Sequence, residues 1–204
     1  MVIAASSYYA RGVRRAVLVV VWMVGRARAD KPDDFVEVGT AIPDAVIDLR
    51  YATADNFVGE RLYPVARCVL RRAVVERLAR AAKTLRAKDR RLLVWDCYRP
   101  SSIQAVLWKK VPDPRYVADP KQGSRHSRGA AVDVALVAAD GKAVELPTAF
   151  DDFTPAAHRD RALPRSAEAR LLAAAMTEAG FVGLPTEWWH FDAPDAYPLS
   201  DEPL

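Results

Sequence analysis

The stretch Ser124-Arg125-His126-Ser127-Arg128-Gly129-Ala130-Ala131-Val132-Asp133 constrains this chain more than any other. The alternation after Gly129 predicts a strand over residues 130–137. Val132, Val134 and Leu136 share one face, and Ala131, Asp133 and Ala135 share the other. A carboxylate among alanines has room above it. Gly129 permits the bend that brings His126 back over the strand. Far downstream, Glu187-Trp188-Trp189-His190-Phe191 adds a second imidazole and a free carboxylate. Two imidazoles and one carboxylate form a zinc ligand set with the fourth position left for water, the catalytic rather than the structural pattern. His126, Asp133 and His190 are therefore the candidate ligands. Mn²⁺ or Fe²⁺ would accept the same donors. The alternative is a hydrogen-bonded His/Asp network without metal. His158, the remaining histidine, lies in no motif and reads as a surface or structural residue.

A chain of 204 residues can bury one substantial core. Its net charge of +4 is misleading, because residues 1–29 hold five arginines and no acid. Without them, 25 of the 30 basic side chains face 26 acidic ones, and nothing argues for nucleic acid. Arg11, Arg14 and Arg15 precede an apolar run over residues 16–25, too short to span a bilayer, and Ala27-Arg28-Ala29 fits a small-x-small cleavage site. Residues 1–29 thus read as a signal peptide, with an uncleaved anchor as the alternative. Residues 30–204 read as one exported domain, periplasmic or secreted, without stable membrane insertion after cleavage. An even cysteine count in an exported protein favours a Cys68–Cys97 disulfide over two buried thiols.

Alternation predicts a strand over residues 46–51, and residues 91–97 form a short apolar one. Val74, Leu78, Ala81 and Leu85 give residues 70–88 the apolar face of a helix with arginines opposite. Pro100 keeps Arg99 extended at the strand end. Ser101 and Gln104 have capping-box spacing at the start of a helix reaching about residue 110. Asp140-Gly141 predicts a hairpin turn into a strand over 143–146. Residues 167–179 form a helix stopped by Gly180, and two last strands fall at 181–184 and 188–192. The predicted class is α+β: a single domain with an antiparallel sheet, helices packed on one side and the metal site on the open face.

Ser-x-His-x-x-Gly-x-Ala-x-Asp followed by Glu-x-x-His resembles the zinc D-Ala-D-Ala metallopeptidases. The Trp-Trp-His form, with Tyr51-Ala52-Thr53 and Asn56-Phe57-x-Gly59 upstream, is similar to the D-alanyl-D-alanine dipeptidases, the vancomycin-resistance type among them. The resemblance covers residues 46–192. It implies one zinc per chain and a small D-amino-acid dipeptide as substrate. It also implies substrate-binding roles for Tyr51, for Asp151 toward the ammonium and for Ser124 toward the carboxylate. The family's Gly before Thr148-Ala149-Phe150-Asp151 is Pro147 here. Glu187 is the candidate general base for the attacking water. It stands three residues before His190, so it must sit in a bend after Pro185 or on a bulged strand. Its alternative role is to orient a ligand imidazole. Arg99 is the candidate electrophile for the carbonyl oxygen, with an ion pair to Asp96 as the structural alternative. Trp188 and Trp189 read as packing residues. The expected activity is hydrolysis of D-Ala-D-Ala linked to peptidoglycan metabolism or recycling. The alternatives are a D,D-carboxypeptidase, a non-catalytic cell-wall binding protein or a zinc buffer.

Overall fold

A computed structural model describes residue 31 and residues 34–204; the expected signal peptide lies outside the described residues. In chain order the elements are β1 (Phe35–Glu37), α1 (Val38–Ala41), β2 (Val46–Ile47), β3 (Val69–Arg71), α2 (Arg72–Arg86), β4 (Arg90–Asp96), α3 (Ser101–Lys110), β5 (Ala131–Ala138), α4 (Arg159–Arg165), α5 (Ala167–Glu178), β6 (Val182–Gly183) and β7 (His190–Asp192). Short 3₁₀ turns lie at Arg50–Ala52, His126–Arg128 and Pro155–Ala157.

A five-stranded sheet in the order β2-β4-β5-β7-β6 carries the site. It is antiparallel except for β2, which runs parallel to β4. The expected α+β architecture is present. Helices α2 and α5 pack together and against the sheet through β4 and β5. Val74, Val75, Leu78, Ala81, Ala82 and Leu85 of α2 are buried, each large apolar side chain contributing about 1.5–3 kcal/mol. The sheet face that carries Asp133 is roofed by loops, and residues 131–137 of β5 are buried on both sides.

Several local expectations change. Residues 69–71 extend as β3 and pair with β1 before the helix begins, so α2 starts at Arg72 rather than Leu70. The strand expected over 46–51 stops at Ile47, and Tyr51 lies in a 3₁₀ turn. Beyond the Asp140-Gly141 turn a single Val137–Ala143 bridge replaces a strand. The capping box at Ser101 does not form. The C-terminal tail supplies the cap instead: Ser101 N donates to Ser200 O (3.2 Å) and Ser102 N to Asp201 Oδ1 (2.8 Å). Gln104 is thereby released to point inward. Gly180, at φ 92°, ends α5 as expected. Helix α4, with Pro164 inside it, carries no apolar periodicity that would have announced it.

One irregularity matters for the site. Val94 pairs with Val134 and Asp96 with Asp133, so Trp95 is an extra residue in β4. This bulge brings Asp96 opposite Asp133, and bulges of this kind re-aim side chains next to active sites.

Candidate metal centre

Asp133 projects from β5 beside His190, its cross-strand partner on β7. His126 arrives from the 3₁₀ turn that Gly129 closes at φ 66°. His126 Nε2 lies 3.2 Å from His190 Nδ1 and 3.3 Å from Asp133 Oδ2, and His190 Nδ1 lies 2.9 Å from Asp133 Oδ1. Tetrahedral bonds of about 2.0–2.1 Å to one ion place ligand atoms roughly 3.3–3.5 Å apart; two of the three spacings are within about 0.1 Å of this and the third is shorter, so the group could hold one ion after a small adjustment. All three residues are buried.

The outer nitrogens fix the rings. His126 Nδ1 faces the carbonyl of Cys97 at 2.7 Å. A carbonyl only accepts, so this nitrogen carries the proton and Nε2 keeps its lone pair for the centre. His190 Nε2 faces Asp192 Oδ1 at 3.0 Å, which leaves Nδ1 for the centre. The surroundings favour a cation there. Burial would lower the His190 pKa, but hydrogen bonds and charge from Asp133 and Asp192 outweigh it and push it up to about 10. Burial would likewise raise Asp133, yet His126 and His190 hold it far below the carboxylate range.

Glu187 sits at the end of a turn closed by its N–H to Leu184 O (3.3 Å), in the bend after Pro185 rather than on a bulged strand. Its Oε2 is 3.9 Å from His190 Nδ1, beside the donor triangle. Burial, with Asp133 and Asp192 adding, pushes its carboxyl up to about 8 against the pull of His190 and Arg99.

Arg99 Nε and Nη2 donate to Asp96 Oδ2 (3.0 and 2.6 Å) and Nη1 to Gln104 Oε1 (2.8 Å). Nη2 is also 4.0 Å from Asp133 Oδ2. The ion pair with Asp96 exists, and it aims the guanidinium at the site. Three of the five guanidinium N–H groups are used, which leaves two for a ligand. Burial would lower its pKa, but Asp96, the tyrosines and Asp133 outweigh it and keep Arg99 charged. Asp96 Oδ1 accepts from Tyr63 OH (2.6 Å) and Cys97 N (2.9 Å). Asp96 is thus a hub of several contacts and not of the ion pair alone.

These groups line a cleft of about 200 Å³ together with Tyr51, Phe57, Ser124, Asp151, Tyr116 and Phe153. That is below the roughly 300–1,000 Å³ of drug-sized sites. Asp151, in the left-handed region at φ 56°, accepts from Tyr51 OH (3.0 Å). Burial, with Asp133 and Glu187, raises its pKa well above the ordinary value. Pro147 therefore does not keep Asp151 out of the cleft. Ser124 Oγ accepts from His126 N (3.1 Å), and its own hydroxyl proton remains available to a ligand. Asn56 instead staples its loop through Thr53, Val58 and Glu60. Trp188 and Trp189 are core residues. His158 stands at the N-cap position of α4, its side chain making no capping bond, and is absent from the cleft lining. Cys68 and Cys97 are joined in a disulfide, Cα–Cα 5.4 Å. Among the described residues no helix is long and apolar enough to cross a membrane.

A family profile described as D-ala-D-ala dipeptidase matches residues 31–203. A D-alanyl-D-alanine dipeptidase of Escherichia coli (strain K12) is 39% identical over 171 residues, covering 81% of this chain and 89% of the relative. One from Streptomyces coelicolor is 32% identical over 83% of this chain and 93% of its own length. Another, from Enterococcus faecium, is 29% identical over 82% and 95%.

Proposed function

Since this chain belongs to the D-ala-D-ala dipeptidase family, we propose that it hydrolyses free D-Ala-D-Ala with one zinc ion held by His126, Asp133 and His190. The observation that carries this reading is the buried donor triangle with Glu187 beside it, in a cleft that also holds Asp151. Zinc held there would supply Lewis acidity for the scissile carbonyl and for the attacking water. Glu187 takes the proton of that water and hands it to the leaving amine. Arg99, held by Asp96 and Gln104, turns its remaining N–H groups to the negative charge that develops on the carbonyl oxygen. Asp151, with Tyr51 fixing its carboxylate, receives the substrate ammonium, and Ser124 donates to the substrate carboxylate.

This assignment predicts substrate length. A peptide acylated at its amine offers no cation to Asp151 and leaves a buried carboxylate with the Tyr51 hydroxyl but no opposite charge, at about 1–3 kcal/mol. The expected result is kcat/KM on free D-Ala-D-Ala about 5- to 150-fold above that on its N-acetyl derivative. Asp151→Ala should narrow the gap. Equal rates, or faster cleavage of the acetylated compound, would reassign the enzyme as a D,D-carboxypeptidase.

Residues 1–29 are proposed to be removed on export, a reading supported by the disulfide, since such bonds persist in oxidising compartments. Export separates the enzyme from the cytoplasmic dipeptide pool and favours recycling of wall-derived dipeptide. Intact-mass analysis of the native protein is expected to show a chain starting near Asp30. A cytoplasmic species retaining Met1 would exclude export.

A further inference from the structure

We infer that Asp192 is a positioning residue of the metal centre, holding His190 in the orientation and tautomer that turns Nδ1 toward Asp133 and making that nitrogen a stronger donor. The inference rests on the metal reading above. His190 and Asp192 are two apart on β7 and so share a face. The cross-strand partner of Asp192 is Ala131, the smallest side chain that leaves space for a carboxylate lying back toward the imidazole. Oδ1 reaches His190 Nε2 at 3.0 Å. The same oxygen is 3.9 Å from Arg125 Nε. Arg125 is itself anchored, its Nη2 donating to Ala193 O and, at 2.9 Å, to Asp195 O. The same carboxylate oxygen thus has an anchored cation nearby as well as the ring.

The two ligand imidazoles are backed unequally. His126 Nδ1 hydrogen-bonds a backbone carbonyl that no side-chain replacement removes, and the nearest carboxylate, Asp96 Oδ2, stands off at 3.6 Å. The partner of His190 is a charge carried by one side chain. A carboxylate accepting from the outer N–H raises the electron density on the inner nitrogen, and loss of such a partner typically weakens metal binding about 10–100-fold. Asn at this position keeps an acceptor oxygen and loses the charge, so it separates orientation from basicity.

The test measures the zinc dissociation constant of the isolated protein by competition with a chromogenic chelator, for wild type, His126→Ala, Asp192→Ala and Asp192→Asn. Far-UV circular dichroism of the metal-free forms reports on the fold. The expected order of affinity is wild type, then Asp192→Asn, then Asp192→Ala, the last about 10–100-fold weaker than wild type. A folded Asp192→Ala that binds zinc as tightly as wild type overturns the inference and leaves the metal site standing. If Asp192→Ala does not fold, an unchanged constant in Asp192→Asn overturns it equally. Failure of wild type to bind zinc, or full retention in His126→Ala, removes the metal reading itself and this inference with it.

Discussion

Glu187→Gln is expected to lower kcat by on the order of 10²–10⁴, the usual contribution of a positioned general base, while zinc stays bound. Glutamine has the same shape and cannot take a proton. Glu187 is outside the donor triangle, with Oε2 3.9 Å from His190 Nδ1, so the exchange leaves the three ligand side chains in place. Without metal its carboxyl is pushed up to about 8, chiefly by burial, and a cation in the donor triangle would draw it back toward the ionised form that accepts a proton. The same shift has a stability consequence in the metal-free protein. A carboxyl with a raised folded pKa binds more protons folded than unfolded between about 4.5 and about 8, so this group lowers stability as pH rises through that window. Metal-free Glu187→Gln should therefore unfold at higher denaturant than wild type at pH 8, and the difference should shrink toward pH 4.5. Zinc content, steady-state rates and denaturation curves check the three parts. Wild-type turnover in Glu187→Gln would place the base elsewhere.

The strand of Asp133 was legible because alternation is a one-dimensional signal: Val132, Val134 and Leu136 against Ala131, Asp133 and Ala135. Helix α5 and its Gly180 stop were legible for the same reason. What the sequence did not disclose is how the site is held. The carbonyl of Cys97 orients His126, and a backbone acceptor leaves no trace in residue identity. The bulge at Trp95 brings Asp96 to the site, yet Leu92-Leu93-Val94-Trp95 is apolar throughout and reads the same in either register. Ser101 and Gln104 had the spacing of a capping box, but Asp201 from the tail reaches the Ser102 N–H and Gln104 turns to Arg99. There a tertiary contact outweighs a local pattern worth about 1 kcal/mol. Asp192 was within reach of reasoning, since a carboxylate two residues after His190 on a strand lies on the same face.

Removing the disulfide, by Cys68→Ser with Cys97→Ser, is expected to cost roughly 3–4 kcal/mol, the chain-entropy estimate for a closed loop of about 30 residues. The sequence separation of the bridged pair is 29. For a chain of this size that corresponds to a fall of roughly 6–16 °C in Tm. The effect should reach the site as well. Cys97 follows the last residue of β4, and its carbonyl is the acceptor for His126 Nδ1. Its neighbours on either side, Asp96 and Tyr98, hold Arg99 and pair with Val69 O (3.0 Å). Cys68 in turn accepts from Val38 N through its carbonyl at 2.9 Å, tying the bridge to the β1–α1 corner. The bond thus pins the short Val69–Arg71 strand to the strand end that backs His126 and Arg99. Without it the Cys97 carbonyl gains freedom, and the imidazole it orients becomes a poorer ligand. The expected outcome is a lower Tm accompanied by weaker zinc binding in the double-serine variant, with wild type treated with reductant moving the same way. Calorimetry and chelator competition measure the two. Equal Tm in oxidised and reduced protein would show that the loop is already held by its other contacts. A lower Tm with unchanged zinc affinity would show that the His126 turn keeps its place without help from the bridge.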